Sequence, residues 1–130
     1  MEYGATADQK RSVLIIDDDQ FILYAFSRLF QSRGFEAETA MNGNEALEKI
    51  DKRVFDVVLI DVRLPDMNGM KILTKMNCNS SKSIKVILTG DPSEEGRERA
   101  IEMGADAYIA KPLRAEELFA FIDQKFTTRL

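Results

Sequence analysis

The chain predicts an α/β domain: a doubly wound, five-stranded parallel sheet carrying five helices. Two observations carry that prediction. Short apolar runs alternate with segments of helical periodicity along the whole length. The cores of these runs, "VLII" (13–16), "VVLI" (57–60) and "VIL" (86–88), are apolar at every position, as strands covered on both faces must be. A third observation says where to look for chemistry: the runs end in acids, most plainly in "DVVLIDVRLPDMNG" (56–69), where Val57 to Ile60 lead straight into Asp61.

Each element has its own signal. Residues 12–16 are a short buried strand. In 20–33, Phe21, Ile22, Ala25, Phe26, Leu29 and Phe30 recur at helical spacing, and Gly34 closes the helix. Residues 35–40 alternate as a strand with one more exposed face, and Asn42-Gly43 opens a helix over 44–52. A second buried strand occupies 55–60, a helix 69–76 and a polar loop 77–83. The strand 84–89 leads into "GDPSEEGRERAIEMG", where Asp91 suits the N-cap, Pro92 the first helical position and Glu94 a capping box. Gly104 ends that helix; 105–110 is the last strand and 113–126 the last helix, with Arg114 standing where a capping Ser, Thr or Asp is common. Residues 1–11 read as a disordered arm, 12–127 as the domain, and 128–130 as a tail or the start of a linker. Such alternation implies right-handed crossovers and a site at the carboxyl ends of the strands, near the switch point of the topology.

Composition removes several classes of chemistry. The 130 residues contain no histidine and one cysteine, Cys78. No Ser-His-Asp triad, Cys-His dyad, His-ligated zinc, thiolate cage or internal disulfide can therefore form. A net charge of −4 argues against a nucleic-acid surface. No apolar run approaches the ~20 residues of a membrane helix, and "MEYGATADQKR" lacks the apolar core of a signal peptide, so a cytoplasmic, non-membrane protein is expected.

At the strand ends stand Asp17-Asp18-Asp19, Asp61, Thr89-Gly90 and Lys111-Pro112. Crowded carboxylates repel, and a hard divalent cation relieves the repulsion. Mg²⁺ takes one or two carboxylates and fills its shell with water and phosphate oxygens, so the cluster suggests a Mg²⁺ site with room for a phosphoryl group, Mn²⁺ being able to take its place. Phosphoryl transfer needs positioning and positive charge, which the metal, Lys111 and the Thr89 hydroxyl could supply. Asp61, on the central strand, is the best candidate for the nucleophile that forms an acyl phosphate. Asp19 reads better as the cap of the first helix than as a ligand.

The segments "LIIDDD" (14–19), "VVLIDVRLPDMNG" (57–69), "VILTG" (86–90) and "GADAYIAKPL" (104–113) together resemble the receiver domain of two-component response regulators, over roughly residues 12–127. The resemblance implies the flavodoxin-like strand order 2-1-3-4-5. It implies phosphorylation of Asp61, metal binding by Asp18 directly, by Asp17 partly through water, and by the backbone carbonyl of Arg63. It also implies a switch hydroxyl at Thr89, a phosphate-binding Lys111 with a cis Lys111-Pro112 bond, and a switch aromatic at Tyr108 that turns inward when Thr89 moves. The donor would be a histidine kinase or a histidine phosphotransfer protein, docking near the first helix. The chain would be a phospho-acceptor rather than a turnover enzyme. The output face would comprise the fourth helix, fifth strand and last helix, where Phe119, Phe121 and Phe126 join Leu118 and Ile122; one helix face cannot bury all five, so a partner or a second copy is expected there. Regulators of the winged-helix group usually carry an acid and a base where this chain has Ala107 and Phe121, so their charged dimer interface is not carried over. Arg63 and Asp91, two residues beyond Asp61 and Thr89, are expected to pair over the site and slow hydrolysis of the acyl phosphate.

Three other readings use the same residues. A degenerate receiver would be an interaction module only; the intact Asp18, Asp61, Thr89 and Lys111 argue against it. A haloacid-dehalogenase-like phosphatase needs D-x-D-x-[TV], and Phe21 breaks the pattern that Asp17-x-Asp19 begins. An FMN carrier needs a Ser/Thr- and Gly-rich phosphate loop after the first strand, and none is present.

Overall fold

Strands and helices alternate strictly in the computed structural model, which describes residues 10–79 and 82–128. The order is β1 (Ser12–Ile16), α1 (Gln20–Ser32), β2 (Glu36–Ala40), α2 (Gly43–Lys52), β3 (Val57–Asp61), α3 (Met70–Asn79), β4 (Ile84–Thr89), α4 (Glu94–Glu102), β5 (Ala107–Ala110) and α5 (Ala115–Thr128). The five strands form one parallel sheet in the order β2-β1-β3-β4-β5, as expected.

Alternation along the strands divides the core in two. Leu14, Ile16, Val58, Ile60 and Ile87 face one side and pack with Ile50 of α2, Ile72 and Leu73 of α3 and Ala100 of α4. Val13, Ile15, Val57, Leu59, Val86 and Leu88 face the other and pack with Phe26 and Phe30 of α1 and Leu118, Phe119 and Ile122 of α5. Two covered faces explain why β1, β3 and β4 are apolar without alternation. The edge strand β2 is the half-exposed one, and Arg53 bridges its Glu36 and Glu38 at 3.1 and 3.0 Å.

Both glycine stops act as read. Gly34 and Gly104 have φ of 88° and 103°, a left-handed backbone that side chains resist. After each, the chain returns two bonds to the helix: Gly34 N–H to Gln31 and Phe35 N–H to Phe30, then Gly104 N–H to Ile101 and Ala105 N–H to Ala100. At the first stop the apolar contact of the motif is the edge-to-face pair of Phe30 and Phe35, 5.0 Å between centroids.

Several local expectations need correction. The cap of α4 is Ser93, not Asp91: its Oγ accepts the Gly96 N–H at 3.0 Å, and the helix starts at Glu94. Asp91 lies outside the helix, its own N–H taken by Thr89 Oγ1, and Pro92 precedes the cap instead of opening the first turn. Helix α3 runs on to Asn79 through residues read as loop, and β5 begins at Ala107 because Asp106 is spent pairing its N–H with Lys85 O and its carboxylate with Lys85 N–H. In α1 the buried stripe is Leu23, Phe26 and Phe30, while Phe21 is 86% exposed; the apolar face is wider than the strip the sheet covers. In α5, Leu118, Phe119 and Ile122 are buried and only Phe121 and Phe126 are half-exposed, so the surplus is smaller than expected. Arg11, assigned to the arm, already joins the fold: its carbonyl accepts the Glu36 N–H and its guanidinium lies 3.7 Å from the Phe126 ring centre. Residues 1–9 and 129–130, where the rest of the arm and the tail end were expected, lie outside the described residues.

Candidate functional site

The strand order reverses direction at β1, whose neighbours are β2 and β3, and the crevice lies above the ends of β1 and β3. Asp17 and Asp18 follow β1, and Asp61 ends β3, so the topology itself brings three acids together. One ligand oxygen from each of Asp17, Asp18 and Asp61 lies within 4.8 Å of the others. Asp17 is 2% exposed and Asp61 is also buried, whereas Asp18 reaches solvent.

Each side chain is held by backbone that can be named. The Asp17 N–H is tied to Ala40 O at the end of β2, and its Oδ1 accepts the Asp19 N–H at 2.9 Å. Asp19 caps α1, accepting the Phe21 N–H at 2.9 Å. The Lys111 N–H binds Thr89 O at 2.7 Å, and the following peptide bond to Pro112 is cis. From there the Lys111 ammonium reaches Asp17 Oδ2 at 2.9 Å and Asp61 Oδ1 at 3.3 Å. One cation thus bridges the two buried carboxylates.

The electrostatics follow from that crowding. Burial, then the Asp17 charge, pushes the Asp61 carboxyl above its ordinary value, and Lys111 offsets only part of this. Burial opposes the charge on Lys111, yet the hydrogen bond and charges of Asp17 and Asp61 outweigh it and raise its pKa. A carboxylate reluctant to ionise beside two others is a place where a divalent cation gains most, and the all-oxygen donor set suits a hard ion.

Around the acids lies an open cleft lined by Asp18, Asp61, Val62, Arg63, Thr89, Gly90, Asp91 and Lys111. The loop after Asp61 is a small closed hairpin: Arg63 bridges Asn68, Leu64 N–H binds Met67 O, and Gly69 N–H binds Val62 O at 2.7 Å. Gly69 passes so close to the Asp61 carbonyl that a Cβ there would collide with it. Arg63 Nη2 and Asp91 Oδ2 are 3.7 Å apart across the mouth of the cleft, both more than 80% exposed. Tyr108 is buried and points inward, its hydroxyl accepting the Ser93 N–H at 3.1 Å.

All eight residues singled out from the sequence sit at this end of the sheet; Tyr108 lies one layer behind, under α4. The sequence reading overlooked Asp66. From the tip of the loop its carboxylate accepts the N–H groups of Gly43 and Asn44 at 2.8 and 2.9 Å, capping α2 from outside and lowering its own pKa. No local pattern announces a cap whose partners are more than twenty residues away.

Comparison with known proteins agrees with this geometry. A family model for the response regulator receiver domain matches residues 13–123. The sensory transduction protein RegX3 of Mycobacterium tuberculosis is 35% identical over 111 residues, which cover 85% of this chain and 48% of that protein, so the chain spans about half the length of this curated relative. Among solved structures, a CheY-like receiver domain protein from Methanospirillum hungatei is 32% identical with a TM-score of 0.81, covering 92% of this chain and 98% of that one. A response regulator from Burkholderia pseudomallei, solved with a phosphorylated aspartic acid, a calcium ion and citrate, is 27% identical with a TM-score of 0.81, covering 85% of this chain and 65% of that one.

Proposed function

The chain belongs to the response regulator receiver domain family, and from that premise we propose that Asp61 accepts a phosphoryl group from a phosphohistidine donor in a Mg²⁺-dependent reaction. The observation that carries this reading is the convergence of Asp17, Asp18 and Asp61 within 4.8 Å, with the Lys111 ammonium 3.3 Å from Asp61. Asp17, Asp18, Asp61 and the Arg63 carbonyl are the groups that would hold Mg²⁺. The bound ion would neutralise charge developing on the phosphoryl oxygens. The Asp61 oxygen attacks phosphorus, the phosphorus–nitrogen bond breaks, and the imidazole leaves with the electron pair. Lys111 turns from the carboxylates toward a phosphoryl oxygen. The Thr89 oxygen already accepts the Asp91 N–H, which leaves its proton free to donate to another phosphoryl oxygen. Water later attacks phosphorus and restores the carboxylate. The domain is thus a stoichiometric acceptor. A phosphatase reading fits poorly, because its second aspartate would be Asp19, whose carboxylate is committed to the helix cap.

A histidine kinase or phosphotransfer protein suits the surface beside the cleft. Phe21 and Tyr24 stand exposed on α1, next to an apolar groove formed by Ile22, Phe26, Leu88, Pro112 and Leu113. The output face is α4, β5 and α5, where Ala107, Ile109 and Phe121 line a second groove suited to a partner or another copy. Among the described residues no helix is long and apolar enough to cross a membrane, in keeping with action in the cytoplasm.

Incubation with acetyl phosphate and Mg²⁺ tests the reading. Mass spectrometry should show the gain of one phosphoryl group, lost in Asp61→Ala; a gain that survives the substitution overturns it. The Arg63–Asp91 pair adds little stability at such exposure, but it overhangs the path of the attacking water. Arg63→Ala should shorten the lifetime of the acyl phosphate severalfold, followed by release of inorganic phosphate; an unchanged rate removes the pair from the mechanism.

A further inference from the structure

Helix α4 carries a glycine in its first turn, Gly96, although glycine is the least favourable helix residue after proline. Its backbone does not demand glycine, since the positive φ values belong to Gly34 and Gly104. What demands it is space. A Cβ at Gly96 would lie 2.5 Å from the Tyr108 hydroxyl oxygen and 3.2 Å from the ring carbon that bears it. The ring cannot yield in place: it is 6% exposed, packed in the core cluster with Ala100, and its hydroxyl accepts the Ser93 N–H at 3.1 Å. That N–H belongs to the residue capping α4, so the buried tyrosine is part of the helix's N-terminal cap.

We propose that Gly96 is the residue that admits Tyr108 to its inward position and thereby couples the tyrosine to the start of α4. Any side chain at 96 drives the ring outward and strips the Ser93 N–H of its acceptor. The regulatory consequence rests on the reading of Tyr108 as the switch side chain: with glycine at 96 the inward state is open without any phosphoryl group, and the identity of residue 96 sets how readily the output face reaches it.

A thermodynamic cycle on the full chain tests the coupling. Urea unfolding is measured for the protein, Gly96→Ala, Tyr108→Ala and the double variant. In the Tyr108→Ala background, Gly96→Ala should stabilise, as alanine does in a helix. With Tyr108 present it should destabilise, so that its effect on the unfolding equilibrium constant differs by roughly fivefold or more between the two backgrounds. Amide exchange at Ser93 should quicken in Gly96→Ala as it does in Tyr108→Ala, where the acceptor is removed outright. A smaller difference overturns the inference, because Ser93 Oγ, 3.0 Å from the same Cβ position, would then be the only neighbour that matters. The cycle needs no phosphoryl group, so its failure leaves the role of Asp61 standing, and failure of the Asp61 test leaves the cycle standing.

Discussion

Lys111 shows how much one residue can carry. Its ammonium holds Asp17 and Asp61 at 2.9 and 3.3 Å, and the two carboxylates would otherwise face each other inside the protein. Lys111→Ala should cost about 2 kcal/mol near neutral pH, since a buried charge loses its partner. The pH dependence has a definite sign. Asp61 has a folded pKa above 3.8, so the folded state holds its proton longer and stability falls as pH rises from 3.8 through the raised value. Removing Lys111 should push that window further up. The lysine's own contribution is complete below its ordinary 10.5 and is lost as pH climbs through its raised folded value. Urea midpoints of both proteins between acid and alkaline pH check this; a variant as stable as the parent at pH 7 would contradict it.

At the scale of elements, helix ends decide more than helix interiors. The chain spends Asp19, Asn42 and Ser93 on N-caps and Gly34 and Gly104 on stops. Asp56 accepts the Ser12 N–H and Asp106 the Lys85 N–H at the opposite end of the sheet, which shows that an acid beside a strand is as often structure as chemistry. Asp66 belongs with them. Its two bonds to Gly43 and Asn44 fasten the loop that bears Arg63 to the start of α2, and Met67 packs where a Gly43 side chain would be. Asp66→Ala should lower the urea midpoint at pH 7, with Asp66→Asn in between. Because the folded pKa lies below 3.8, the contribution is present above that value and is lost as pH falls through the folded one. The gap between parent and Asp66→Ala should therefore close in acid; a gap independent of pH would mean the carboxylate charge is irrelevant.

For the molecule as a whole, the sheet is a rigid plate between two helical layers, and the site is built on its edge. Phe30 ties one layer together: it is fully buried, 5.0 Å from Phe35 and 4.7 Å from Phe119 between ring centres, so it joins α1 to the turn before β2 and to α5. Phe30→Ala should cost about 3–5 kcal/mol by the cavity it leaves. Unfolding in urea measures the loss, and a loss below about 1 kcal/mol would mean the layer can collapse onto the gap. The site acids lie at strand ends rather than in this layer, so a variant that still folds should keep the divalent-ion binding proposed for them.

Class, element order and the chemical character of the strand ends were legible in the sequence because they rest on periodicity and on residues within one turn or one strand of each other. Asp61 at the end of an apolar run, Gly34 after the last turn of α1 and the absence of histidine needed no coordinates. The tertiary structure alone decided which cap wins at α4, where the Tyr108 hydroxyl, from the next strand, accepts the N–H of the capping Ser93. It alone showed that Lys111 bridges two acids, that Asp66 caps a helix 22 residues away, and that Gly96 is a space for a tyrosine. Local patterns report what a residue meets along its own helix or strand; side-chain pairing across the sheet depends on register and on angstroms of packing, which no one-dimensional pattern contains.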